Sequence, residues 1–161
     1  MENVNQLVEE WYKRVSVTQV AHYQSADYFG RRKYLLGVPA IILAAFAGTS
    51  IFATLAQQPN FYLQLAIGFA SVGTAVLASL QTFMGYSERA EKHRLAGAKY
   101  GALGRKLESM IVQPTTITNE ELVRVREKLD ALAEESPNNP LRIYKGAGAA
   151  ALEKSAARLS K

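Results

Sequence analysis

The sequence predicts an all-α membrane protein: a two-span transmembrane helical hairpin with a cytoplasmic helical bundle built from both flanks. Three observations lead there. The 54 residues from Tyr34 to Ser87 contain no Asp, Glu, Lys, Arg or His. All 19 Lys and Arg and all 14 Asp and Glu lie outside that block. From Ser87 the stretch SERAEKHRLAGAKY then places seven Glu, Arg, Lys or His side chains among fourteen residues. A spanning helix takes about 20 mostly apolar residues, so the block holds two spans and a short connection.

Bulk composition hides this pattern. The chain has 161 residues, enough for one domain, and its mean hydropathy of −0.06 is that of a soluble protein. The average is low only because charge and apolarity are segregated. The net charge of +5 sits beside a hydrophobic block, which points to lipid headgroups rather than nucleic acid. There is no Cys, which excludes disulfides, thiolate metal sites and Cys nucleophiles.

Residues 1–33 form an N-terminal cytoplasmic amphipathic helix. Val4, Leu7, Trp11 and Val15 make one apolar stripe at helical spacing. Residues 34–86 form the hairpin, with spans at about 35–56 and 61–84. Gln57, Gln58, Pro59 and Asn60 supply the turn, and Pro59 cannot extend the first helix. Tyr34 and Tyr86 at one end and Tyr62 at the other mark the interfaces. The long, Glu-containing segment before the first span is unlike a signal peptide.

Arg31, Arg32 and Lys33 abut the first span, and Arg89, Lys92, Arg94 and Lys99 follow the second, while the turn has no Lys or Arg. The positive-inside rule puts both termini of this multi-pass protein in the cytoplasm and the turn outside.

Residues 87–136 form a cytoplasmic helical region. The second span is expected to continue without a break to about Val112, ahead of Pro114. Ala96, Tyr100, Leu103, Leu107 and Met110 form a seam for another helix. Thr118 opens a further helix with a capping box closed by Glu121, and Leu122, Val125, Leu129 and Leu132 form its stripe. Pro137 and Pro140 end it. Residues 137–161 are a basic, Ala-rich tail, with Leu152, Ala156 and Leu159 on one possible helical face.

Span two has two distinct rows. Leu65, Phe69, Val72, Val76, Leu80 and Phe83 are large and suit lipid. Gln64, Gly68, Ser71, Ala75, Ala78 and Thr82 are small or polar, a candidate face for helix packing or for lining a pore, with packing favoured. Span one has a comparable small set, Ala40, Ala44 and Gly48, with Ser50 and Thr54 nearby. No ionisable residue lies inside either span, which argues against a proton relay, a voltage sensor or an ion-coupled transporter. Two spans cannot enclose a channel, so any pore needs several copies.

Motifs of chemistry are weak. GAGAAA at residues 146–151 matches a dinucleotide fingerprint in letters only, because no strand leads into it and too little chain follows. It reads as a Gly/Ala hinge before a terminal helix. His22 and His93, without clustered carboxylates, read as polar side chains at the membrane boundary or in the bundle rather than metal ligands. No catalytic, cofactor or metal residues are assigned, and no enzyme is expected.

Three segments resemble the SLATT domain family of two-transmembrane effectors: residues 21–52 (AHYQSADYFGRRKYLLGVPAIILAAFAGTSIF), 83–108 (FMGYSERAEKHRLAGAKYGALGRKLE) and 136–147 (SPNNPLRIYKGA). The middle one is the most specific, with Glu88, Arg89, His93, Arg94, Ala96, Gly97, Tyr100, Leu103 and Glu108 in place. The resemblance implies a membrane effector of a prokaryotic antiphage, nucleotide-signalling system. It would form a homo-oligomer in the lipid bilayer and permeabilise the inner membrane when a nucleotide-sensing or signal-generating protein partner triggers it. Glu88, Arg89, Glu91, Lys92, His93 and Arg94 are then the candidate gating region, at the mouth of the pore. The competing expectation is a non-conducting anchor or scaffold whose bundle recruits a soluble partner.

Overall fold

The computed structural model describes residues 2–54, 61–113 and 117–159. Five helices occur in order: α1 (Glu2–Thr54), α2 (Phe61–Met84), α3 (Tyr86–Val112), α4 (Asn119–Glu135) and α5 (Leu141–Leu159). Among the described residues there is no strand. The chain divides into two compact units, one of Met1–Tyr28 with Arg89–Lys161 and one of Phe29–Glu88. The turn at Gln57–Asn60 and Pro114 lie outside the described residues, as do the side chains of Ser50, Thr54, Leu152, Ala156 and Leu159.

The unit Phe29–Glu88 is the hairpin. Its part of α1 passes through Pro39, which has no N–H to offer the carbonyl four residues earlier. A spanning helix tolerates such a position where neighbouring groups satisfy the freed carbonyl. The two helices meet through small residues. A methyl group added at Gly73 would lie 3.4 Å from Leu43 Cδ1, and one added at Gly37 would lie 3.4 Å from the Gln81 amide. Moving up α1 from Gly37 to Leu43 moves down α2 from Gln81 to Gly73, the antiparallel order. Ala40, Ala47 and Ala70 are buried.

The expected unbroken helix from span two to Val112 is interrupted. Gly85 adopts φ 56° between α2 and α3. That left-handed conformation is open to glycine at no steric cost, so the sequence resets the helix at the one residue able to do it.

The other unit is a bundle of α1 up to Tyr28 with α3, α4 and α5. Val8, Val15, Tyr100, Leu103, Leu107, Met110 and Val125 form its core, with Trp11, Leu122, Leu129 and Leu132 packed against it. The predicted α3 seam is buried at all five positions. Of the expected N-terminal stripe, Val15 is buried and Val4 and Trp11 pack against the core, while fully buried Val8 takes the place expected for Leu7, which is 37% exposed. Burying Leu107 contributes roughly 1.5–3 kcal/mol relative to leaving it in water.

α4 begins as its capping box requires. The Thr118 hydroxyl accepts from the Glu121 N–H at 3.3 Å, and the Glu121 carboxylate accepts from the Thr118 N–H at 3.2 Å. Ser136 closes its C-terminus ahead of Pro137. The GAGAAA segment is not a hinge: it lies within α5, which runs through it from Leu141 to Leu159, with Ala147 buried. Alanine's high helix propensity offsets the cost of Gly146 and Gly148 there.

Candidate functional site

α2 has three sides. At 3.6 residues per turn they stand about 120° apart. Ala70, Gly73, Thr74, Leu77 and Gln81 form the side turned to α1. Leu65, Phe69, Val72, Val76, Leu80 and Phe83 form the large apolar side, and all six are exposed, as lipid-facing residues are. Gln64, Gly68, Ser71, Ala75, Ala78 and Thr82 form the third side, also exposed. The hairpin therefore closes through a different set of small residues from the row singled out by spacing. In span one, likewise, Ala40 is buried but Ala44 is exposed.

Both hydroxyls on the third side are satisfied within the helix. The Ser71 hydroxyl donates to the Ile67 carbonyl at 2.9 Å, and the Thr82 hydroxyl to the Ala78 carbonyl at 3.1 Å. Nothing lies within 4 Å of a methyl group placed at Gly68. Around Gly68, Ser71 and Thr82 this side can accept a close-packed helix without stranding a hydroxyl.

The residues Glu88 to Arg94 share the start of α3. Glu88, Arg89, Glu91, Lys92 and Arg94 are exposed. Arg94 and Glu91 approach to 3.8 Å, an exposed pair of little energetic weight. His93 departs from this group and is buried in the bundle.

There it meets His22. The two Nδ1 atoms are 2.9 Å apart, and the rings are 1% (His22) and 3% (His93) exposed. The His22 ring stacks on Tyr100 with centroids 5.4 Å apart. Burial, followed by the charge of His93, pushes His22 down from 6.5 to about 4. Burial also lowers His93. Next to the pair, the fully buried Ser25 hydroxyl donates to the Asn139 side-chain oxygen at 2.9 Å, joining α1 to the link between α4 and α5.

Glycines permit this contact. Methyl groups added to Gly97 and Gly101 would press on Tyr23 and Gln19, and one added to Gly104 would touch Val15, so one edge of α3 is bare where α1 packs on it. The spacing of those glycines at four and three residues is the one signal in the sequence that could have pointed to this contact, and it went unread. Lys99 and Glu135 form an ion pair between α3 and α4. Among the described residues no group of three or more His, Cys, Asp or Glu is gathered to hold a metal.

A two-span apolar hairpin joined to a helical bundle defines a class of small membrane proteins. The sequence model of the SMODS and SLOG-associating 2TM effector domain family 4 matches residues 4–155, and the chain belongs to that family. It is accordingly a membrane protein with two transmembrane helices and an effector domain of the SLATT type. Neither a curated protein nor a solved structure gave a match.

Proposed function

We propose that this chain is a pore-forming membrane effector of a prokaryotic antiphage, nucleotide-signalling system. Copies assemble in the inner membrane with both termini cytoplasmic. A nucleotide-sensing or signal-generating partner acts on the bundle, and ions then leak. The third side of α2 carries this reading. An anchoring hairpin needs one side for its partner span and one for lipid, whereas α2 keeps Gln64, Gly68, Ser71, Ala75, Ala78 and Thr82 apart from both. With no charge in the spans, a pore of this kind would be weakly selective or closed by apolar constriction.

The satisfied hydroxyls of Ser71 and Thr82 favour a second reading, a non-conducting anchor or scaffold, because they make no demand for water. Titrated expression in bacterial cells with a potential-sensitive dye separates the two. A pore former depolarises the cells in proportion to expression. A potential that holds at every expression level, with function retained after exchange of the hairpin for an unrelated one, establishes the anchor.

A further inference from the structure

We infer that His22 and His93 form a proton-released latch in the bundle, which holds α1 to α3 while both rings are neutral and lets the helices part as both take up protons. The contact itself sets this rule. Two Nδ1 atoms at 2.9 Å share one hydrogen, one ring donating and the other accepting. A second hydrogen at the accepting nitrogen would turn two donors on each other, and the bond would be lost.

The surroundings give that charge little relief. Among the described residues the buried polar side chains are His22, Ser25 and His93, with no carboxylate. Tyr100 covers the His22 ring. The ionisable side chains flanking the pair along each helix are exposed: Asp27 on α1, Glu88, Arg89, Glu91, Lys92, Arg94 and Lys99 on α3, and Arg142 and Lys145 on α5. Most are cations, and Lys99 is already paired with Glu135.

The latch also stands at a telling place in the chain. His22 precedes Phe29, the first hairpin residue, by seven positions, and His93 follows Glu88, the last, by five. Parting α1 from α3 exposes both imidazoles, which then bind protons with the ordinary affinity of histidine, near pH 6.5. By reciprocity, acid favours the parted state, and whatever parts the helices takes up protons. The inference rests on the bundle alone and not on conductance.

Amide hydrogen exchange of the full chain in nanodiscs tests it, with rates corrected for the intrinsic effect of pH. Between about pH 7.5 and 5.5, protection over residues 19–26 and 93–100 is expected to fall by about a hundredfold, roughly tenfold for each ring. Protection around Val125 should change much less. The double substitution His22→Phe with His93→Phe keeps buried rings without titration and should abolish the fall. If that variant does not fold, His93→Gln replaces it: His22 alone then titrates, and the fall should shrink from about a hundredfold to about tenfold. Unchanged protection in the native protein, or the same fall in a variant that folds, overturns the latch.

Discussion

His22 and His93 are 71 positions apart in the chain, yet their Nδ1 atoms meet at 2.9 Å inside the bundle. Stability should therefore depend on pH with a definite sign. Burial depresses both rings in the folded state, so the folded chain binds fewer protons than the unfolded chain. Stability is complete above about pH 6.5 and declines as pH falls toward about 4. Chemical denaturation of the bundle, followed by Trp11 fluorescence across pH, should show the decline, and His22→Phe should flatten much of it.

The two glycines on different sides of α2 should separate folding from assembly. Gly73→Leu drives a side chain against Leu43 and should destabilise the hairpin by about 1–3 kcal/mol, as overpacking does. Gly68→Leu meets open space in one chain, so the monomer should fold normally. Its cost should appear instead as reduced oligomer mass and reduced depolarisation. Size-exclusion profiles and protease resistance of the two variants decide the point.

Leu107→Ala should cost about 2–5 kcal/mol, because Leu107 is fully buried in the bundle core. Val123→Ala, on the exposed face of α4, should change stability by about 0.5 kcal/mol or less. Denaturant midpoints of the two variants provide the comparison.

Gly85→Ala places a side chain at φ 56° and should cost about 1 kcal/mol or more. Melting temperature is the readout, with Gly30→Ala, a helical glycine with open space around it, as the stabilised or neutral control.

Much of the fold was legible because the decisive signals are local. An uncharged block of two span lengths needs no tertiary information, and neither does the Thr118–Glu121 capping box or the Tyr100–Leu103–Leu107 seam. The features that were not legible depend on which surfaces meet. Spacing separated large from small residues on α2, but it did not tell which small row faces α1; Gly73 and Gln81 do, and the row from Gln64 to Thr82 stays outside. The His pair was hidden because its members lie on different helices and are brought together only by the bare glycine edge of α3. The Gly85 break was missed because a single left-handed residue leaves the apolar periodicity on either side intact.

The proposed pore requires several copies to assemble around the third side of α2. The native mass of the protein in nanodiscs tests it most directly. A closed ring of about four copies or more is predicted, the fewest two-span chains that would surround a pore. A monomer or dimer, unchanged when the proposed trigger is added, would contradict the pore and leave the hairpin as an anchor.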